Sequence, residues 1–268
     1  MADLSPISWW RRFLALPNDS RLKTLGVAFL VALVSAITVS ATSVTLKPRQ
    51  QAHIEAARAA NLAAMIATLP GLADILRQTG AETLETVLVD LRTGQIDGNY
   101  DATSYDFLAA QTDPAQGTAL LPEDDLAGIG QRPHLAPVYL LRGVDGLALV
   151  VLPVYGKGYQ SMIRAYLALE GDLNTVAALS FYEQGETPGL GSRITDPGWQ
   201  ALWSGKQAAD ASGEIIISVV RGSAATASEV DGITGATRSS TGVANLVHFW
   251  LGADGYGGFL ARLKTGDL

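Results

Sequence analysis

The sequence has no cysteine among its 268 residues. The chain therefore forms no disulfide, no thiolate-bound iron–sulfur cluster and no cysteine nucleophile, so any redox function must depend on another cofactor. The chain also lacks a basic excess, because 19 Lys and Arg residues stand against 26 Asp and Glu residues, a formal net charge of −7. Without a basic stripe that neutralises phosphates, we expect no nucleic-acid partner.

Metal and nucleotide motifs are missing as well. His53, His134 and His248 lie far apart, and none has H-E-x-x-H or comparable metal-ligand spacing. We predict no metal site, and we expect His248 to be solvated or structurally bonded. No G-x-G-x-x-G fingerprint follows a strand, so we expect no nicotinamide-binding domain. Glu183 and Glu186 are possible acid–base groups, but isolated carboxylates near turns are usually solvated, and we predict no catalytic role for either.

Charge is absent from residues 24–46. This run is long enough to span a bilayer core, which needs about 20 apolar residues. More basic residues precede it than follow it closely, so the positive-inside bias places the N-terminus in the cytoplasm. We therefore predict a cytoplasmic N-terminus (1–23), one transmembrane helix (24–46) and an extracytoplasmic domain (47–268). The preceding basic residues are Arg11, Arg12, Arg21 and Lys23, and the following ones are Lys47 and Arg49.

The main alternative to an anchor is a cleaved signal peptide, because Val39-Ser40-Ala41 has the small residues of a cleavage site. We favour the anchor, since the apolar run exceeds the roughly 7–15 residues usual for the apolar region of a signal peptide. The run has no ionisable side chain and hence no ion path of its own. Its hydroxyl groups would bond either to neighbouring helices or back to their own backbone. These belong to Ser35, Thr38, Ser40 and Thr42.

Beyond the apolar run, about 220 residues remain, which fits one large or two small domains. A helix is predicted at 51–69, ended by Pro70-Gly71, and residues 97–130 are acidic and loop-rich. Short strands joined by tight turns, with helices at both ends, indicate an α+β domain with largely antiparallel sheets. The predicted strands are 83–96 (a strand and its turn), 137–141 and 147–154 (a hairpin), 162–170, 176–182 and 214–220.

The most informative segment is Asp-Gly-Ile-Thr-Gly-Ala-Thr at residues 231–237. Thr234, Gly235 and Ala236 carry little side-chain bulk, so a modifying enzyme can approach the hydroxyl of Thr237 closely. The segment resembles an attachment site for a covalently held flavin, and it therefore indicates electron transfer. The alternative is an ordinary glycine turn before a core helix.

A helix is predicted to begin next to Thr237. Ser239-Ser240-Thr241 is rich in N-cap residues, and apolar residues then recur at helical spacing. The free amide groups and positive dipole end of this helix would favour a phosphate, and Arg238 could add a charge-assisted hydrogen bond. The apolar residues of its buried face are Val243, Leu246, Val247, Trp250 and Leu251.

A second segment, residues 186–191, has the glycines needed for close contact with a planar ring. Its Pro-Gly pair favours a type II turn, Leu190 can pack on a ring face, and backbone N–H groups can bind the polar edge of the ring. A bare surface turn is the alternative. Tyr-Gly-Lys-Gly at 155–158, which contains Lys157, is a weaker candidate. The segment consists of Glu186, Thr187, Pro188, Gly189, Leu190 and Gly191.

With these motifs, the chain resembles the C subunit of the sodium-translocating NADH:quinone reductase, a membrane respiratory complex, over nearly its whole length. One departure is Tyr159-Gln160, where the family usually has an apolar residue followed by tryptophan, which puts an aromatic contact there in question. The other matching segments are Asn18-Asp19-Ser20, Pro137-Val138-Tyr139, Leu167-Ala168-Leu169-Glu170 and Asn174-Thr175-Val176.

The resemblance implies an FMN-binding domain in which a flavin transferase joins FMN through its phosphate to the hydroxyl of Thr237. Asp231 would belong to the transferase's recognition signal. The remaining cofactor-binding residues would be residues 234–236, Arg238, residues 186–191 and Lys157. The flavin would relay electrons towards ubiquinone while the whole complex exports Na⁺, and this subunit alone should not oxidise NADH.

The resemblance also implies a location in the bacterial inner membrane, with the soluble domain on the periplasmic side and other membrane subunits as partners. A sister possibility is the equivalent FMN subunit of an Rnf-type ferredoxin:NAD oxidoreductase complex, which shares both motifs. Total length and residues 97–130 favour the quinone reductase. A further alternative is a flavin-free structural membrane subunit, in which Thr237 merely lies in a turn.

Overall fold

The computed structural model describes residues 20–68, 85–100, 102, 105–143 and 146–267, together with residues 10, 13–15 and 17. The side chains of residue 43 and residues 48–68 are outside this description. The chain divides into two compact units, residues 1–57 and residues 58–268.

Helix α1 (Arg21–Thr68) is the main element near the N-terminus. The hydroxyl of Ser20 accepts a hydrogen bond from the backbone N–H of Lys23 at 3.1 Å, which is a normal N-cap. The part Arg21–Lys47 is long and apolar enough to cross a membrane. The predicted helices 24–46 and 51–69 are thus one continuous helix up to Thr68, and Pro70-Gly71 lies outside the described residues.

Two of the predicted hydroxyl groups in this apolar helix, those of Thr38 and Thr42, bond to their own backbone. Thr38 donates to the carbonyl of Val34 at 2.8 Å, and Thr42 donates to the carbonyl of Thr38 at 2.7 Å. A hydroxyl group that bonds back in this way has its donor paired within its own helix. The large apolar side chains around it, such as Phe29 and Ile37, are exposed.

The domain is built on one antiparallel six-stranded sheet in the order β2-β1-β5-β6-β7-β8. The predicted hairpin and the two strands after it are confirmed, whereas the described part of the predicted segment 83–96, from residue 85 onward, belongs to a hairpin of two strands. The strands are β1 (Glu85–Asp90), β2 (Gln95–Asp97), β5 (Leu135–Gly143), β6 (Gly146–Lys157), β7 (Met162–Glu170) and β8 (Val176–Glu183).

Within the described residues, two small strand pairs and four α-helices complete the domain. The loop-rich region 97–130 contains α2 (Phe107–Ala110) and β3 (Gly117–Ala119), which pairs with β4 (Gln131–Pro133). The remaining elements are α3 (Pro197–Gln200), β9 (Ser218–Val220), β10 (Glu229–Asp231), α4 (Thr237–Leu251) and α5 (Gly257–Thr265). The α+β class with mainly antiparallel sheets is therefore confirmed.

The predicted strand 214–220 is wrong in length. Only Ser218–Val220 forms a strand, and it pairs in parallel with β10. The carboxylate of Asp210 explains the shortening, because it accepts the backbone N–H groups of Ser212 at 2.8 Å and Glu214 at 3.1 Å and so holds a turn there.

Helix α4 packs against β6 and is held there by buried contacts. Trp250 is fully buried, and its indole N–H donates to the carbonyl of Tyr155 at 2.6 Å. A Cβ at Gly156 would lie 2.7 Å from the Cβ of Leu246, and one at Gly242 would lie 2.8 Å from the carbonyl oxygen of Lys157. These two glycines let helix and strand approach closely, which fixes the N-terminal end of α4 beside the end of β6. The predicted buried face of α4 is confirmed.

Candidate functional site

The segment 231–237 forms a tight turn between β10 and α4. The backbone N–H of Ala236 donates to the carbonyl of Ile233 at 2.9 Å. Gly235 has a φ of 83°, a conformation that residues with a side chain rarely adopt. Because Ile233 and Ala236 are buried, the turn is anchored on both sides while Thr234 and Gly235 face solvent.

Thr237 is the first residue of α4, and it is exposed. The N-cap residue Ala236 offers no side-chain cap, and the first turn of α4 has no acidic residue. The predicted capping role of Ser239-Ser240-Thr241 is wrong, because these residues lie inside the helix. The hydroxyl of Ser240 instead donates to the carbonyl of Ala236 at 3.1 Å. The positive end of the helix is therefore left to other partners.

The loop 186–191 forms the predicted Pro-Gly turn. The backbone N–H of Leu190 donates to the carbonyl of Thr187 at 3.1 Å, and Gly189 at the third turn position has a φ of 74°. Both features are those of a type II turn. Leu190 is left 51% exposed, with one of its methyl carbons 3.8 Å from where a Cβ of Gly235 would be. The two motifs thus lie side by side.

Gly191 is buried at the point where the loop meets α4. A Cβ at this position would lie 2.5 Å from the hydroxyl oxygen of Ser239 and 2.7 Å from a carboxylate oxygen of Glu186. Only a glycine fits there without displacing those groups. The close contact between the loop 186–191 and α4 therefore requires glycine at position 191.

Glu186 was predicted to be solvated, and this prediction is wrong. The residue is 4% exposed, and its carboxylate accepts the hydroxyl of Ser239 at 2.5 Å and the backbone N–H groups of Tyr159, Gln160 and Ser161 at 3.2, 2.9 and 3.0 Å. Burial by itself raises the pKa of Glu186, but these hydrogen bonds outweigh it, led by the one from Ser239, and the pKa falls below its ordinary value. The carboxylate is therefore ionised at neutral pH.

Tyr159 supplies an aromatic ring where the sequence left one in question. The guanidinium carbon of Arg238 lies 5.0 Å from the centre of the Tyr159 ring, which is a cation–π contact. Both residues are exposed, and Tyr159 is 50% exposed. The arginine expected to bind a phosphate is thereby held at the N-terminus of α4.

These segments enclose a cleft of about 280 Å³, named the main cleft. It joins the two predicted motifs and adds Tyr159 and Ser239, which sequence reasoning missed. In the sequence, Tyr159 is only a departure from the family pattern, and Ser239 is only a residue type common at helix N-caps. Neither has a local pattern that indicates which segments it contacts in the fold. The predicted residues that line the main cleft are Glu186, Thr187, Leu190, Gly191, Gly235, Ala236, Thr237 and Arg238.

The other predicted site residues lie outside the main cleft. Pro188 and Gly189 form the exposed tip of the turn, and Lys157 is exposed at the end of β6. The carbonyl of Thr234 accepts a long contact from the guanidinium of Arg193 at 3.5 Å. Asp231 is half-buried, and its carboxylate accepts the backbone N–H of Ala224 at 2.6 Å. In the folded domain none of these residues lines the main cleft.

Comparison with known proteins identifies the region that contains the main cleft. Residues 158–252 match the family model of the FMN-binding domain. The chain is 40% identical to the C subunit of the Na(+)-translocating NADH-quinone reductase of Pseudomonas aeruginosa, covering 93% of this chain and 98% of that protein. It is 41% identical to the same subunit of Vibrio alginolyticus, covering 94% of this chain and 98% of that protein.

Solved structures of the same subunit share the fold. The crystal structure of NqrC from Shewanella oneidensis superposes with a TM-score of 0.65 at 36% identity, covering 72% of this chain and 88% of that one. The subunit from Parabacteroides distasonis gives a TM-score of 0.51 at 29% identity, covering 69% of this chain and 88% of that one. The predicted resemblance is thus confirmed in sequence and in fold, and the chain belongs to the NqrC family, the C subunits of the Na⁺-translocating NADH-quinone reductase.

Proposed function

We propose that this subunit holds FMN covalently, through a phosphoester bond to the hydroxyl of Thr237, and passes electrons towards ubiquinone within the reductase complex. The observation that carries the proposal is the position of Thr237. Its side chain is exposed on the first residue of α4, in the main cleft, where a helix end favours a phosphate.

The residues present fit such a cofactor. The backbone at the start of α4 and the guanidinium of Arg238 are the groups suited to a phosphate. Leu190 and the ring of Tyr159 are half-exposed apolar surfaces at the rim of the main cleft, suited to a planar ring system. Gly191 and Gly235 keep the backbone free of side-chain bulk on the same side.

FMN, when bound, takes up and releases electrons reversibly. The side chains of this chain, which has no cysteine, do not supply that chemistry. The main cleft, at about 280 Å³, lies just below the roughly 300–1,000 Å³ typical of sites that enclose a ligand. It would therefore hold the cofactor at the surface, within reach of redox partners in other subunits. A covalent link would prevent the loss of a cofactor held in so open a site.

For the location, we propose a single-pass protein of the bacterial inner membrane. The span would lie within Arg21–Lys47, which is long and apolar enough to cross a membrane. The excess of basic residues before the span supports a cytoplasmic N-terminus and a periplasmic FMN-binding domain. Other membrane subunits of the reductase would be its partners.

Maturation would require a flavin transferase that recognises the segment around Asp231. In the folded domain the carboxylate of Asp231 is bonded to the N–H of Ala224, and its carbonyl accepts the indole N–H of Trp199 at 2.7 Å. The transferase would therefore have to compete for these contacts. In this proposal Asp231 serves maturation, and Thr237 serves attachment.

An intact-mass spectrum of the denatured chain, co-expressed with a flavin transferase, tests the attachment. The wild-type chain should gain the mass of FMN minus one water, and Thr237→Ala should not. Thr241→Ala is the matched control, because Thr241 is an exposed threonine of the same helix, and it should keep the added mass. An unmodified wild-type mass would instead favour the flavin-free structural subunit.

A further inference from the structure

Glu186 connects three segments of the main cleft that are far apart in the sequence. Its carboxylate accepts N–H groups from the loop after β6, at residues 159–161, and the hydroxyl of Ser239 on α4. The hydroxyl of Ser161 adds a further hydrogen bond at 3.2 Å. Since Glu186 itself begins the loop 186–191, one side chain joins this loop, the Tyr159 loop and the first turn of α4.

The backbone around Glu186 is shaped to admit its carboxylate. A Cβ at Gly158 would lie 2.6 Å from one carboxylate oxygen, and a Cβ at Gly191 would lie 2.7 Å from the other. Any side chain at either glycine would push the carboxylate away from its donors. Both glycines therefore make room for the same buried carboxylate, one beside each oxygen.

The charge of Glu186 also lies where the helix end lacks one of its own. The first turn of α4 has no acidic residue, and Ala236 gives no side-chain cap. Glu186 reaches this turn through the hydroxyl of Ser239, so a negative charge from a distant segment lies at the positive end of the helix. This charge borders the main cleft.

We infer that Glu186 is a positioning residue of the flavin site, which holds the Tyr159 loop and the first turn of α4 around the cofactor and lowers its reduction potential. The inference rests on the proposed attachment of FMN to Thr237. A fixed negative charge beside the cofactor disfavours the uptake of electrons, and burial keeps this effect from being screened. Glu186 acts through the groups it holds, so its loss should loosen the cofactor without removing it.

The test compares Glu186→Gln with wild type in the chain co-expressed with a flavin transferase. Two properties of the flavin are measured: its reduction potential, by spectroelectrochemical titration, and its visible circular dichroism, which reports how rigidly the ring is held. We expect a positive shift of the potential and a loss of most of the circular dichroism. A merely structural residue would lower the melting temperature and leave both properties of the folded protein unchanged.

Glu183→Gln is the matched control. Glu183 is a carboxylate three positions earlier in the chain, is 44% exposed and pairs with Arg164 at 2.8 Å. Its substitution should change neither the potential nor the circular dichroism. An equal shift in Glu183→Gln would overturn the inference, because the effect would then be one of net charge alone.

The remaining outcomes are separable. If wild type and Glu186→Gln both carry the added FMN mass and have the same potential and circular dichroism, this inference fails and the proposed function stands. If wild type carries no added mass, the proposed function fails and takes the inference with it. If Glu186→Gln does not fold, Ser239→Ala decides, because it keeps the charge and breaks the contact with α4. Weakened circular dichroism in Ser239→Ala supports the inference, and an unchanged spectrum overturns it.

Discussion

Two carboxylates in this domain make similar hydrogen bonds and build different structures. Asp172 accepts the N–H groups of Asn174 and Thr175 at 2.9 and 2.8 Å, two and three residues away. Glu186 accepts donors that lie 25, 26, 27 and 53 residues away. The first carboxylate shapes a local turn, whereas the second assembles a site from distant segments.

Each carboxylate borders a cleft, and the larger cleft is the one beside the carboxylate that shapes only a local turn. The cleft that includes Asp172, between the β7–β8 turn, the β5–β6 hairpin and α5, has a volume of about 600 Å³, against about 280 Å³ for the main cleft. The larger one has no helix N-terminus with an exposed threonine among its lining residues. The proposed flavin site is therefore the smaller of the two clefts, and it is proposed from the chemistry of its lining residues rather than from its volume.

The largest expected change in stability comes from replacing the carboxylate of Glu186 by an amide, compared with the same change at Asp172. Glu186→Gln should lower the free energy of unfolding of the domain by about 2–3 kcal/mol, since an NH₂ group replaces one of the two acceptor oxygens of a buried side chain that serves four donor residues. Asp172→Asn should cost less than about 1 kcal/mol, because the turn is exposed and the amide oxygen still accepts. Urea unfolding followed by circular dichroism measures both. Equal losses would erase the distinction between the two carboxylates.

The next effect concerns the backbone around Glu186. Gly191→Ala should cost about 1–3 kcal/mol, because the new methyl group meets Ser239 and Glu186 inside packed structure. Gly198→Ala is the control, since a Cβ at Gly198 meets nothing within 4 Å and its φ is not positive. Thermal unfolding should separate the two variants by several degrees. A Gly191→Ala protein as stable as Gly198→Ala would mean that the loop moves away freely.

Acid should remove the difference between wild type and Glu186→Gln. The pKa of Glu186 is lowered in the folded domain from an ordinary value of 4.5, so its contribution is fully present above that pH and is lost as pH falls through the folded pKa. The gap in melting temperature should be constant between pH 7 and 6 and should narrow below about pH 4.5. A gap that stays constant down to pH 3 would show that charge is not the cause.

The smallest change in stability is expected for Thr237→Ala, the variant that should lose the covalent flavin. Thr237 is exposed, so Thr237→Ala should change the free energy of unfolding by no more than about 0.5 kcal/mol. Equilibrium unfolding of the chain produced without a flavin transferase measures this. A loss of about 2 kcal/mol or more would give Thr237 a structural role, and the loss of flavin in this variant would then need another explanation.

Much of the fold could be predicted because it follows from local pattern. The short apolar run of β7, which ends at a turn, and the 3.6-residue spacing in α4 each indicated an element that the structure contains. The strand at 214–220 failed because the side chain of Asp210 competes for its backbone, and no periodicity reports such competition. The hairpin of β1 and β2 was predicted as a single strand and its turn, because β2 has only three residues and so gives little periodic signal.

The site could be predicted as two motifs, but not as one cleft. Glycine, proline and threonine in 186–191 and 231–237 gave turns whose conformations follow from those residues. The burial of Glu186 and the places of Tyr159 and Ser239 depend on contacts between segments distant in sequence. Isolated carboxylates and serines have no local signal that distinguishes a solvated group from a buried one, so only the fold reveals their role.

The attachment residue is tested most directly by peptide mapping of the flavin. Cleavage after Arg221 and Arg238 yields a peptide of residues 222–238, which contains Thr226, Thr234 and Thr237. Tandem mass spectrometry of this peptide from the chain co-expressed with a flavin transferase should place FMN on Thr237 alone. A flavin on Thr234 or Thr226, or an unmodified peptide, would contradict the account.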